Sequence, residues 1–124
     1  MNDPTLQNRE KTRIIQELVP GKQITLAHII ANPDEILYKK LGLDPAGEYT
    51  AAAIGILTMS PAETAIIAGD IATKASGAEL GFVDRFSGTL IITGSVSQVQ
   101  EAVAAVVRYA DETLGFTVCP ITKT

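Results

Sequence analysis

Ala52-Ala53-Ile54-Gly55-Ile56-Leu57-Thr58-Met59, followed at once by Ser60-Pro61-Ala62-Glu63, decides the fold. The first part is an apolar run of strand length. The second carries a capping-box signature, Ser60 with Glu63 three residues on, and predicts a helix that runs to Ser76 and stops at Gly77. On that helix Ala65, Gly69, Ala72 and Ser76 share a face of small side chains, which predicts close packing on a neighbour.

Working outward, residues 80–84 and 89–93 read as two strands joined by Arg85-Phe86-Ser87-Gly88, a connection of hairpin length. A last helix opens with Ser95 as cap and Gln98 three residues on. It buries Val99, Val103, Val106, Ala110 and Leu114, and ends at Gly115. Residues 116–121 read as a final strand, at an edge because of Pro120. The order from Ala52 is β-α-β-β-α-β, the split βαβ arrangement of a ferredoxin-like α+β fold.

Upstream, residues 43–50 read as a loop. Asn32-Pro33-Asp34-Glu35 starts a short helix, with Asn32 as cap and Gly42 as stop. Before it a strand alternates, with Ile24, Leu26, His28 and Ile30 on one face and Thr25, Ala27 and Ile29 on the other. Ile14, Ile15, Gln16, Glu17, Leu18 and Val19 form a further short strand, set apart by Pro20-Gly21. The polar residues 1–13 read as a mobile arm. The expected organisation is an arm at 1–13, a separate strand and turn at 14–21, and the main domain at 22–124.

Composition narrows the function. A net charge of −4 argues against nucleic acid, which needs a concentrated basic surface. The longest apolar run is about seven residues, residues 51–57, against the ~20 of a membrane helix. The polar N-terminus has no signal core, and a lone cysteine, Cys119, implies no internal disulfide, so the expected location is cytoplasmic. Cys119 reads as packing. His28, the one histidine, lies mid-strand among Ile24, Leu26 and Ile30 and reads as half-buried and hydrogen-bonded. No metal-ligand spacing, phosphate-binding glycine pattern or paired carboxylate is present, so neither a cofactor nor an enzyme is expected. The stretch Asp84-Arg85-Phe86-Ser87-Gly88 reads either as a hairpin with an exposed ion pair or as a loop lining something; Lys74 reads by default as an exposed helix lysine.

The stretches Ile14-Ile15-Gln16-Glu17-Leu18-Val19-Pro20-Gly21-Lys22-Gln23-Ile24-Thr25-Leu26-Ala27-His28-Ile29-Ile30-Ala31-Asn32-Pro33, Ala53-Ile54-Gly55-Ile56-Leu57-Thr58 and Gly81-Phe82-Val83-Asp84-Arg85-Phe86-Ser87-Gly88 resemble the circularly permuted BMC-domain shell proteins of bacterial microcompartments, of the EutS/PduU-like family. The resemblance runs from about Ile14 to the C-terminus. It implies a non-catalytic homohexamer that tiles with other shell proteins around an enzyme cargo degrading a small alcohol or amine. Ethanolamine, propanediol and choline systems all fit, and the cargo's targeting peptides are further candidate partners.

The resemblance also implies that residues 23–30 supply the displaced core strand, in competition with 116–121. It places Ile14, Ile15, Gln16, Glu17, Leu18 and Val19 in a small β-barrel on the hexamer axis, and Asp84, Arg85, Phe86, Ser87 and Gly88 in the loop around that axis. Lys74 falls at the hexamer edge, as does Asn32, which stands where ordinary shell hexamers carry an arginine. The alternative function is a ferredoxin-like regulatory domain that binds a small molecule. A hydrolase built on His28 is a third, weaker option.

Overall fold

The computed structural model describes residues 21–43 and 52–124. The expectations for the 1–13 arm, the 14–19 strand and all of the 43–50 loop but Leu43 lie outside the described residues. The elements are β1 (Gln23–Ile30), α1 (Glu35–Lys40), β2 (Ala53–Ser60), α2 (Thr64–Ser76), β3 (Glu79–Asp84), β4 (Thr89–Gly94), α3 (Val96–Glu112) and β5 (Thr122–Lys123). The strands form one open sheet in the order β3-β4-β2-β1-β5. Every pairing is antiparallel except that of β1 with β5.

The fourth position of the split βαβ sheet is filled by β1, not by residues 116–121. β1 has no proline and pairs with β2 from Gln23 opposite Ser60 to Ile30 opposite Ile54. The chain from Thr117 onward follows the outer edge of β1 but cannot sustain a ladder, because Pro120 has no amide to donate. It touches β1 at two places: Ile24 N–H donates to the Thr117 carbonyl at 2.9 Å, and β5 then pairs with His28 and Ile29.

Strict alternation fails in β1. A bulge between Ile24 and Leu26 lets Ile24 face Met59 and Leu26 face Thr58, with Thr25 as the extra residue. Ile24 therefore shares the buried face with Ala27 and Ile29, while Leu26 lies exposed. On the outer side, Thr25 and Thr58 join their hydroxyls at 2.7 Å.

α2 and α3 cover one face of the sheet. Leu57, Leu90, Ile92, Val99, Val103 and Val106 are fully buried there. Each contributes roughly 1.5–3 kcal/mol of transfer free energy. α3 rests directly on β2 at Gly55, where a Cβ would come within 2.8 Å of Ile92 Cγ1 and 2.9 Å of Val99 Cγ1. The small face of α2 packs as expected, with Ala65, Gly69 and Ala72 buried, and a Cβ on Gly69 would lie 3.3 Å from Leu80 Cδ2. Ser76 donates to the Gln98 carbonyl at 2.7 Å and ties the end of α2 to the start of α3. α1 and Leu43 lie on the other face, where a Cβ on Gly81 would meet Leu43 Cδ2 at 2.7 Å.

The capping box at Ser95 and Gln98 forms as predicted. Two other helix starts differ. Asp34, not Asn32, caps α1 by accepting from Ile36 N–H at 2.9 Å, because its shorter path reaches the second helical amide. Ser60 stays in β2, and α2 begins at Thr64 without a side-chain cap. Its first turn is instead closed by backbone bonds from Thr64 to Pro61 and from Ala65 to Ala62.

Candidate assembly surfaces and the hairpin tip

The β3–β4 hairpin gathers the sequence-predicted site residues at one end of the sheet. Asp84 organises the turn: one carboxylate oxygen accepts Phe86 N–H at 2.8 Å, and the other accepts the Ser87 hydroxyl at 2.8 Å. Ser87 also contacts the Thr89 hydroxyl at 3.0 Å. Gly88 N–H closes the loop on the Asp84 carbonyl at 2.9 Å, and Met59 N–H donates to the Gly88 carbonyl at 2.9 Å. The bond from the Phe86 amide, then that from Ser87, holds the Asp84 carboxyl below its ordinary range.

The expected Asp84–Arg85 ion pair does not form. The ion pairs among the described residues are Lys39–Glu35 and Lys74–Asp70. Asp84 is occupied by the turn, and the Arg85 guanidinium lies over the Phe86 ring, 5.0 Å from its centroid. Phe86 is 81% exposed. The turn thus holds an apolar ring and a cation out in solvent on a fixed backbone. Its sequence signal was Asp followed by Ser at i+3 and Gly at i+4, an Asx-turn pattern.

The remaining predicted residues lie apart from this tip in sequence and on other elements. Lys74 sits in the last turn of α2 and bonds Asp70 at 2.9 Å, with 75% of its side chain exposed. Asn32 is exposed just before α1. The axial-barrel residues fall among the residues not described. His28 bonds both ring nitrogens to threonine hydroxyls, Nδ1 to Thr122 and Nε2 to Thr124 at 2.9 Å. Cys119 packs half-buried against the core.

Sequence reading missed the apolar edges. β3 is a sheet edge whose Leu80, Phe82 and Val83 are exposed, and α1 with its C-terminal cap exposes Ile36, Leu37 and Leu41. Consecutive apolar residues on a strand bordered by only one partner were the available signal. A hollow of about 500 Å³ opens beside Tyr38, Glu79, Thr93 and Ser95, with Glu79 the charged residue that lines it among the described residues. Among the described residues no three His, Cys, Asp or Glu side chains converge on a metal-sized site. No helix there is long and apolar enough to cross a membrane.

The sheet, the two helices on its face and the fixed hairpin define a BMC domain, and residues 53–122 match that family. The chain belongs to the BMC-domain family, in its circularly permuted branch. The match begins at β2, leaving β1, a central strand of the same sheet, ahead of it.

Within the family the chain is similar to the bacterial microcompartment shell protein EutS of Escherichia coli, 54% identical over 92% of this chain and 98% of the relative. It is 55% identical to PduU of Salmonella typhimurium over 90% and 93%, and 49% identical to CutR of Streptococcus intermedius over 90% and 91%. A CutR chain solved as a flat hexamer superposes with a TM-score of 0.78 at 43% identity, covering 86% of this chain and 94% of the other. A CutR chain from a screw assembly gives 0.76 at 45% identity, covering 85% and 100%.

Proposed function

We propose that this chain is a structural, non-catalytic tile of a bacterial microcompartment shell, assembled as a homohexamer beside other shell proteins. The observation that carries this reading is the near end-to-end similarity to the shell protein EutS. The apolar side chains that β3 and α1 leave in water support it, since an oligomer interface would remove them from solvent. The hexameric state of a CutR relative with the same fold supports the stoichiometry.

In this reading residues 22–124 form the shell domain and residues 1–13 an arm. Residues 14–19 give one strand each to a barrel on the sixfold axis, and six copies close it without a free edge. The hairpin 84–88 surrounds the axis, where symmetry turns each side chain into a ring. Lys74 and Asn32 lie at the hexamer edge. The cargo degrades a small alcohol or amine, in keeping with EutS, PduU and CutR as relatives, and its targeting peptides are candidate partners on the shell face.

Native mass spectrometry followed by negative-stain imaging tests the proposal. Hexamers that tile into sheets, tubes or screws are expected. A monomer that stays monomeric across a wide concentration range overturns it.

A further inference from the structure

Thr93 carries a buried hydroxyl that nothing in the fold uses. The residue is 7% exposed, and its hydroxyl has no hydrogen-bond partner among the described residues. Valine would fill the same space and spare the sheet an unsatisfied polar group, so folding alone gives no reason for the hydroxyl. Thr93 does line the hollow of about 500 Å³, within the size range of small-molecule sites. It stands opposite Ile54 on one side and Glu79 on the other, and directly paired residues share a face of the sheet. The buried Tyr38 of α1 lines the same hollow.

Two electrostatic poles meet there. One is the start of α3, a helix of 17 residues whose dipole leaves partial positive charge at its first turn. Val96, its first residue, lines the hollow, and an amide at that position has no acceptor within the helix. The capping box fixes Ser95 beside it. The Ser95 oxygen accepts Gln98 N–H at 3.1 Å, which leaves its own proton to donate. The second pole is the Glu79 carboxylate. A strand spacing of about 5 Å separates Glu79 from Thr93, and Ser95 follows Thr93 by two residues, at most about 7 Å. Donors at one pole and a carboxylate at the other match a small zwitterion, whereas a simple anion would meet Glu79 and a simple cation the helix start. We propose that this hollow binds a free α-amino acid. Thr93, Ser95 and the Val96 amide hold its carboxylate, Glu79 holds its ammonium, and Tyr38 walls its side chain. The site lies within one chain and stands apart from the assembly proposed above.

Isothermal titration of the full-length protein with each of the standard L-amino acids tests this. Saturable binding of at least one is expected, with a Kd of about 1 mM or tighter. Its C-terminal amide and its N-acetyl derivative each lack one charge and should bind at least about tenfold more weakly. Glu79→Gln and Thr93→Val should each weaken the amino acid to a similar degree. Thr93→Val should also raise the unfolding midpoint of the ligand-free protein, because it removes an unpaired buried hydroxyl. No saturation by any amino acid at about 10 mM overturns the inference. Binding that survives either substitution overturns it too, as does equal affinity for either singly charged derivative. A lower midpoint for Thr93→Val would show that the hydroxyl serves the fold, and sinks the proposal as well.

Discussion

Gly88 lies directly against the backbone of Met59. The Met59 amide donates to the Gly88 carbonyl at 2.9 Å, and a methyl group on Gly88 would overlap the Met59 carbonyl oxygen. Gly88 also has φ of 77°, in the left-handed region. Gly88→Ala therefore meets backbone on both counts: a left-handed alanine costs about 1–2 kcal/mol, and the clash cannot be relieved by a rotamer change. A loss of at least about 2 kcal/mol is expected in urea unfolding. A change near zero would mean the hairpin swings freely of β2.

Gly55→Ala probes a different kind of crowding. Its new methyl would meet Ile92 Cγ1 at 2.8 Å and Val99 Cγ1 at 2.9 Å, both side chains that are fully buried and have little room to turn. Overpacking of this kind costs about 1–3 kcal/mol. The unfolding midpoint should fall while the slope with denaturant stays the same. An unchanged midpoint would show that α3 can lift from β2 without loss.

Asp84 gives the tip a pH dependence. Its carboxyl is held below the ordinary value of 3.8 chiefly by the Phe86 amide and then by Ser87. A depressed folded-state pKa contributes stability above pH 3.8, which is lost as pH falls through the folded value. Asp84→Asn should flatten the wild-type decline in stability over that acidic window and leave neutral-pH assembly in place. Parallel profiles for the two proteins would remove Asp84 from the account.

Much of the order of elements was legible because several boundaries had a local cause. Ser95 with Gln98, Gly77, and the 85–88 connection all act within a few residues, and all stand where the sequence put them. What escaped depended on distant partners. Nothing near Thr25 announces that it is a bulge, since the bulge exists only against Met59 and Thr58. The contest between 23–30 and 116–121 for one sheet position was likewise decided by pairing length with β2, although Pro120 hinted at the loser. At the tip, composition suggested an ion pair, while the geometry gave Asp84 to the turn and Arg85 to Phe86.

His28 should anchor the C-terminal strand. Both ring nitrogens bond threonines of that segment, and Thr124 N–H donates to the Ile29 carbonyl at 2.9 Å. Two modest hydrogen bonds are worth about 1 kcal/mol each. His28→Ala should speed amide exchange at Thr122, Lys123 and Thr124 by about tenfold or more while β2 keeps its protection and the hexamer its mass. Unchanged exchange would assign the anchoring to the backbone pairing.

Lys74 separates folding from assembly. Its bond to Asp70 joins two exposed side chains one helical turn apart, a pair worth about 0.3–0.5 kcal/mol. Lys74→Ala should therefore leave the unfolding midpoint almost unmoved. An ammonium brings three donors, and at a hexamer edge they can meet carbonyls of the next tile that Asp70 cannot serve. The substitution should spare the hexamer in native mass spectrometry yet reduce sheets, tubes or screws in negative stain. Because the helix itself tolerates alanine, a loss of lattice at constant stability would locate Lys74 between tiles. Normal lattices would return it to the solvated face of α2.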